Sequence, residues 1–514
     1  MIQVDGNRLW QSIAELWPGT HMPDTGRMRS ASALRLCQDS REVASSEVPA
    51  IFVAVPGVNV DGRRYVSQAL ADGAYLVLAE AYATGAGTDA PPLPTDERVL
   101  ALPDLGRRLG ELGKHLFSVP ELLELIGVTG TNGKSSVTHY IAELSESLGR
   151  PTGVVGTLGW GRPGQLTDSG LTTPGALELQ WMLGQIAAGG IRRVAMEVSS
   201  HALMQERLTG CRLETAVFTN LSRDHLDYHG SMAAYAAAKA RLFRRPELKL
   251  AVVNGDDALT RLMLAGLPEG VRVLAAGRQE ATTLRVLDWQ PHATGQRVLI
   301  ATPDGERALE LGLMGRFNLD NVLLAIATLY GLGEPLEALC EAANALTPVP
   351  GRMQMITKPG LPSVIVDYSH TPDALHNALS ALRDHLPRQG RLWCLFGCGG
   401  DRDAGKRPLM AQAVEPLADR IVITDDNPRS ENPAAIRAQV MAGLSPAAKA
   451  RVWCIDGRGE AIANVIAEAE PEDVILIAGK GHEAYQEIQG RRLPFSDTEC
   501  AEAALQVREE SHEQ

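Results

Sequence analysis

Between residues 106 and 349, short apolar runs alternate with segments of helical pattern. ELIGVTG (124–130), TGVVGTLG (152–159), RVAMEVSS (193–200), TAVFTN (215–220) and LAVVN (250–254) are rich in Val and Ile and bounded by turn residues, which predicts buried strands. SSVTHYIAELSESLG (135–149) and SMAAYAAAKARLF (231–243) between them predict helices. The last third repeats the rhythm in VIVDYSH (364–370), RLWCLFGCGG (391–400), RIVITDD (420–426), RVWCID (451–456) and DVILIAG (473–479). Residues 1 to about 105 hold shorter runs, AIFVAVPG (50–57), AYLVLAE (74–80) and RVLALPD (98–104), and AYATGAGTDAPPLPTDE (81–97) reads as a surface loop or boundary. The whole pattern predicts an α/β fold, with a mostly parallel sheet covered by helices on both faces. TPVPGRMQ (347–354), where Pro and Gly break the preceding helix, predicts a domain join.

Nearly every predicted strand ends in polar or glycine residues: GTNGKSS, EVSSH, TNLSRDH, DYSHTPD, GCGGDRD, TDDNPR and GKGHE. Open parallel sheets bind ligands outside the carboxyl ends of their strands. Two such edges predict an active site in a cleft between domains.

Composition narrows the function. A chain of 514 residues implies two to four domains, and a formal net charge of −13 argues against broad capture of nucleic acid. Local amides and a few cations still suffice for an anionic ligand. The cysteines are scattered without a CxxC pair, as expected of reduced thiols. The N-terminus lacks a signal-peptide pattern and no run of about 18 apolar residues occurs, so a cytoplasmic protein without a membrane partner is expected.

GVTGTNGKSS (127–136) carries the most specific chemistry. Gly130, Thr131, Asn132, Gly133, Lys134, Ser135 and Ser136 follow a strand and open a helix. The glycines let amides approach phosphate oxygens, Lys134 offsets the distal phosphate charge and Ser135 can join a Mg²⁺ shell. The spacing departs from the strict Walker form, which would place glycine where Val128 stands. Glu197 at a strand end and His225 within NLSRDHLDYHG (220–230) are candidate metal ligands. Lys239, in an alanine-rich helix, reads by itself as a solvated lysine.

GVTGTNGKSS, TTPGALELQ (172–180), MEVSSHAL (196–203), NLSRDHLDYHGSMAAYAAAKARLF (220–243), GRFNLDNVLLAIA (315–327), VPGRMQ (349–354), DYSHTPDAL (367–375) and GCGGDRDAGKRPLM (397–410) together resemble the Mur ligases. The resemblance is strongest to the members that add the third amino acid of the peptidoglycan stem peptide. It implies three domains: residues 1–105 holding a UDP-linked substrate, 106–349 as a P-loop-type parallel-sheet ATPase domain, and 350–514 as a Rossmann-like domain for the incoming amino acid. Ser40 and Asn59 match uridine-nucleotide positions, and Thr172, Thr173, Ser199, Gln205 and Arg207 match those holding the muramoyl dipeptide. The family's NTTP is LTTP here, so Leu171 replaces a polar side chain. Asn318, Asn321, Arg352 and Asp367 resemble residues around the adenosine. The lysine matching Lys239 is carboxylated by CO₂ in the family, and Lys134, His225 and Lys239 form the implied catalytic set, with Ser135, Glu197, His225 and the carbamate around Mg²⁺.

The resemblance implies that ATP phosphorylates the D-glutamate side-chain carboxylate of UDP-N-acetylmuramoyl-L-alanyl-D-glutamate, and that an amine then displaces phosphate. The chain is expected to work as a monomer. Asp426, Asn427, Pro428 and Arg429 match the signature for meso-diaminopimelate, with Arg402, Gly479 and Glu483 as further contacts. Arg429 can clamp a second carboxylate, and lysine is expected to leave its guanidinium unpaired. A lysine-adding ligase conflicts with Arg429. A folylpolyglutamate synthetase would lack the uridine-binding segment, and a non-catalytic nucleotide switch would not need the metal and substrate motifs.

Overall fold

The structure is a computed structural model that describes residues 2–20, 31, 33–57, 60–81 and 92–512. The chain divides into two compact units, Met1–Lys134 with Gly149–Ala251 and Leu259–Val273, and Ser135–Leu148 with Val252–Ala258 and Leu274–Gln514. Among the described residues no helix is long and apolar enough to cross a membrane.

In the first unit, strands Gln3–Val4, Leu34–Cys37, Ala50–Ala54, Leu76–Glu80 and Val99–Leu102 form a sheet in that order, antiparallel only at its first pair. Leu9, Trp10 and Ile13 of helix Gly6–Leu16 and Leu105, Leu109 and Leu112 of helix Leu105–Leu116 pack with Ile51, Val53, Leu76 and Leu78. A second set of strands runs Leu213–Phe218, Glu124–Thr129, Arg193–Glu197 and Thr152–Gly156, all parallel. Two short antiparallel strands, Gly159–Arg162 and Gln165–Thr167, extend it. Glu197 lies opposite Val128, and Phe218 opposite Thr129, so the polar segments after these strands share one edge. Val128 is fully buried inside its strand, which explains the departure from the Walker spacing: the loop begins only at Gly130.

The second unit carries a six-stranded sheet ordered Gln354–Ile356, Ser363–Asp367, Val474–Ala478, Leu392–Phe396, Arg420–Ile423 and Trp453–Cys454. All pairs are parallel except the first. One face packs Ile365, Leu392, Phe396 and Leu476 against Leu375, Leu379 and Met410. The other packs Val364, Val366, Trp393 and Ile475 against Ile462, Val465, Ala501 and Leu505. The α/β class follows from these two-sided cores. Two features escape the hydrophobic pattern: an antiparallel meander of Leu284–His292, Gly295–Thr302 and Gly305–Leu311, and a hairpin of Tyr485–Ile488 with Arg491–Pro494.

Beneath the strand ends of the second unit lies a fully buried ion pair. Arg458 meets Asp497 through Nε at 2.6 Å and Nη2 at 2.7 Å, both side chains with no exposure. The same guanidinium donates to the carbonyls of Asp425 at 3.3 Å and Ala478 at 2.8 Å. It therefore joins the ends of two strands separated by Leu392–Phe396, where TDDNPR and GKGHE begin. Removing one member leaves an uncompensated buried charge, so Arg458→Met should lose about 3–5 kcal/mol, read as a lowered denaturation midpoint for this unit.

Candidate active site

The phosphate loop is clamped by the segment after the neighbouring strand. Thr131 N–H donates to Asn220 O at 2.8 Å, Asn132 N–H to Asn220 Oδ1 at 3.0 Å, and Thr219 Oγ1 to Asn132 O at 2.6 Å. Gly130 has φ +154°, and a Cβ there would lie 1.8 Å from Thr219 Oγ1, so only glycine fits. Helix Lys134–Ser147 starts next, with Ser135 and Ser136 buried in its first turn. The His139 ring Nδ1 lies 2.8 Å from Ser135 O.

Two amines meet on one carbonyl. Lys134 Nζ donates to Gly130 O at 3.0 Å and to Thr131 O at 2.9 Å. Lys239 Nζ, from helix Met232–Ala240, donates to the same Gly130 O at 2.8 Å and lies 4.5 Å from the Tyr235 ring centroid. Lys239 is only 2% exposed. Burial first, and then the charge of Lys134, hold its amine well below the ordinary lysine value, with Asp224 opposing. The Tyr235 hydroxyl lies 3.2 Å from Thr131 Oγ1, and burial pushes its phenol up to about 12.

Glu197, 1% exposed, accepts from Thr157 N–H at 2.9 Å and from Thr157 Oγ1 at 3.3 Å. A Cβ on Gly156 would lie 2.3 Å from Glu197 Oε1, so the strand end leaves this carboxylate its place only by carrying glycine. His225 begins helix Leu226–His229 with φ 52° and a half-exposed ring. Its ring centroid is 6.0 Å from that of Tyr235, the ring that Lys239 also faces. Among the described residues no three His, Cys, Asp or Glu side chains form a ready metal cage. Glu197 is the one buried carboxylate among these candidates, a hard oxygen donor of the kind Mg²⁺ takes alongside waters and phosphate oxygens.

The predicted muramoyl-dipeptide residues form one network. Thr173 Oγ1 donates to Glu197 O at 2.8 Å and accepts from Ser199 N–H at 3.0 Å. Arg207 Nη1 donates to Thr173 O at 2.7 Å, and its Nη2 to Gln205 Oε1 at 2.7 Å. Gln205 Nε2 donates to the Tyr228 hydroxyl at 3.2 Å, and Thr172 Oγ1 lies 3.0 Å from Thr157 Oγ1. Leu171 is 51% exposed and adds no polar group. Ser40 opens the turn Ser40–Glu42 after strand Leu34–Cys37, whereas Asn59 lies outside the described residues.

In the second unit, Asn318 is held by Tyr140 OH on Oδ1 at 3.2 Å and donates to Met314 O at 2.8 Å, with Asn321 buried on the same helix, Arg316–Gly331. Asp367 accepts from Met353 N–H at 2.8 Å and Ser369 N–H at 2.9 Å, and the Arg352 guanidinium lies 4.5 Å from the Tyr368 ring centroid. Gly479 has φ +119°, and a Cβ there would lie 2.8 Å from Asp426 Oδ2. Asp426 Oδ1 accepts from Asn427 N–H at 2.6 Å, Asn427 Nδ2 donates to Glu483 Oε2 at 3.0 Å, and Pro428 leads into Arg429. Arg402 is exposed in the loop after strand Leu392–Phe396.

Arg429 differs from the sequence-based expectation. Its Nη1 donates to Gly400 O at 2.7 Å and its Nε lies 3.3 Å from Glu487 Oε2, so an internal carboxylate already pairs with it. Glu487 sits in the hairpin that the hydrophobic pattern missed. Lys480, within the GKGHE motif, and Arg458 carry no signal in the sequence, since neither differs there from a surface cation.

A model of the Mur ligase middle domain matches residues 128–329, and one of the Mur ligase glutamate ligase domain matches residues 351–481. The chain is 47% identical over 472 residues to the UDP-N-acetylmuramoyl-L-alanyl-D-glutamate--2,6-diaminopimelate ligase of Pseudomonas syringae pv. tomato, covering 91% of this chain and 94% of the relative. It is 48% identical over 479 residues to the protein of that name from Pseudomonas aeruginosa, covering 93% and 96%. A solved structure of a UDP-N-acetylmuramoyl-L-alanyl-D-glutamate--2,6-diaminopimelate ligase is similar with TM-score 0.68 and 37% identity, covering 97% of this chain and 99% of that one. The MurF ligase of Thermotoga maritima, solved in complex with ADP, shares the fold at TM-score 0.61 and 18% identity, covering 93% and 98%. Phosphate loop, buried lysine and full-length likeness agree, and the chain belongs to the Mur ligase family.

Proposed function

We propose that this chain is an ATP-dependent, amide-bond-forming ligase that joins meso-2,6-diaminopimelate to the D-glutamate side-chain carboxylate of UDP-N-acetylmuramoyl-L-alanyl-D-glutamate in peptidoglycan precursor synthesis. The observation that carries this reading is 47% identity along 91% of the chain to a ligase of that name, together with an intact Asp426-Asn427-Pro428-Arg429 segment hydrogen-bonded to Glu483. The division into residues 1–105, 106–349 and 350–514, action as a monomer and a cytoplasmic setting, where ATP is available, belong to the same proposal.

The chemistry follows from the weakness of a carboxylate as electrophile. A carboxylate oxygen attacks the γ-phosphorus of ATP, the bond to the bridging oxygen breaks, and ADP leaves. The substrate amine then adds to the acyl carbon, the tetrahedral intermediate expels phosphate, and the amine loses its extra proton. Lys134 offsets charge on the transferring phosphoryl group, and the amides of Gly130 to Gly133 hold the neighbouring oxygens. Mg²⁺, when bound, supplies further charge stabilisation there. Glu197, His225 and a carbamate on Lys239 are the donors we assign to it. The depressed proton affinity of Lys239 suits carbamate formation, because only a neutral amine adds to CO₂. Thr172, Thr173, Ser199, Gln205 and Arg207 hold the dipeptide, and Arg429, Glu483 and Arg402 the incoming amino acid.

Three outcomes are expected. ADP release should require both the UDP-muramoyl dipeptide and diaminopimelate; assayed side by side, lysine and ornithine should be slower, and equal rates with lysine would overturn the substrate choice. Lys239→Ala should lose activity that short-chain carboxylates partly restore, and in the native chain activity should fall as pH drops through the lowered Lys239 value, since protonation blocks the carbamate. Gly156→Ala should push Glu197 aside and lower kcat by about tenfold or more, whereas unchanged kinetics would remove Glu197 from the site.

A further inference from the structure

Lys480 has no exposure, yet its ammonium makes hydrogen bonds to two side chains that belong to separate polar segments. Nζ donates to Glu483 Oε2 at 2.9 Å and to Asn427 Oδ1 at 3.1 Å. Asn427 Oδ1 also accepts from Glu487 N–H at 2.9 Å, and Asn427 Nδ2 donates to Glu483 Oε2 at 3.0 Å. Two donors on Oδ1 fix which way the Asn427 amide faces, because a flipped amide would turn its NH₂ toward an ammonium and an N–H. Both donors to Glu483 land on Oε2, and among the described residues Oε1 accepts no hydrogen bond. Glu483 keeps about a fifth of its side-chain surface exposed, so the uncommitted oxygen lies on a carboxylate a ligand can reach.

The comparison with Arg458 separates two uses of a buried cation. Arg458 spends its donors on Asp497 and on backbone carbonyls, as a structural clasp does. Lys480 binds only the functional ends of Asn427 and Glu483 and lies 5.6 Å from the Tyr485 ring centroid. We propose that Lys480 is a positioning residue for the incoming amino acid: it locks the Asn427 amide and turns Glu483 so that Oε1 is presented to the substrate's ammonium group. This rests on the reading of the second unit as the site for a diamino acid. A buried ammonium behind the carboxylate also tempers its charge, so orientation as well as charge governs which cation binds.

The test uses the full-length chain and steady-state ADP release. Lys480→Met should raise KM for diaminopimelate about ten- to a hundredfold, with KM for ATP and for the UDP-linked substrate within about twofold and a much smaller change in kcat. In a Glu483→Gln background the same substitution should add much less than it does alone, the remainder coming from the freed Asn427 amide. An unchanged KM, or fully additive effects in the double variant, overturns the proposal. Should Lys480→Met fail to fold in a thermal melt, Lys480→Arg replaces it: it keeps the charge but moves the donors, so a raised KM supports the assignment and a native KM overturns it. Wild-type chain without diaminopimelate-dependent ADP release would instead overturn the function itself, so the two failures are distinguishable.

Discussion

Two lysine nitrogens converge on the carbonyl oxygen of Gly130, and the chemistry of the first unit depends on that crowding. Two ammonium groups sharing one acceptor in a buried space repel each other, so the proton affinity of one of them falls. Geometry decides which. Lys134 starts a helix and is partly exposed, while Lys239 is sealed beneath Tyr235. The more buried amine holds its proton less firmly, and the carbamate proposed on it would exchange a repelling cation for an anion beside Lys134. The clamp of Thr219 and Asn220 on the loop keeps the shared carbonyl where both amines reach it.

The second unit solves a different problem, holding polar loops steady at the ends of apolar strands. Arg458 and Asp497 sit wholly inside, and their worth lies in the carbonyls they tie together rather than in their mutual attraction, which desolvation largely offsets. By contrast, the pair of Arg429 and Glu487 keeps about a quarter of each side chain exposed, so water screens it and it opens more easily than the buried pair. Rigid support from one pair and easier opening of the other is the division of labour that a binding site needs.

How much of this was legible in the sequence depends on burial. Strands such as Leu250–Asn254 and Val474–Ala478 are covered on both faces and read directly as Val- and Ile-rich runs. Trp453–Cys454 is shorter than RVWCID suggests because it lies at a sheet edge with a single neighbour. The meander from Leu284 to Leu311 largely alternates buried and exposed positions, so apart from the short run Val298–Ala301 no apolar stretch announces it, although glycine turns at HATG and PDG carry a hairpin signal. Lys239 read as solvated, yet its alanine-rich helix buries Tyr235, Ala236, Ala238 and Ala240 around it. The exposed positions of this helix, Ala233, Ala234 and Ala237, are alanines too, so the pattern does not show that Lys239 falls on the buried face. Asn427, Arg429 and Glu483 were found through motifs, whereas Lys480, Glu487 and Arg458 acquire meaning only from their neighbours in space.

Arg429 stands in the left-handed backbone region at φ 51°, with its N–H on Glu487 O at 2.9 Å and its own O accepting from Gln489 N–H at 2.6 Å. The main chain at this position is thus knitted into the hairpin as though it were a short extra strand. Refitting the enzyme for another amino acid by exchanging residue 429 alone would disturb that weave, most of all with a β-branched replacement. If Arg429 holds the incoming amino acid as proposed, loop and hairpin form one unit for that purpose, and a change of substrate at this position draws in both.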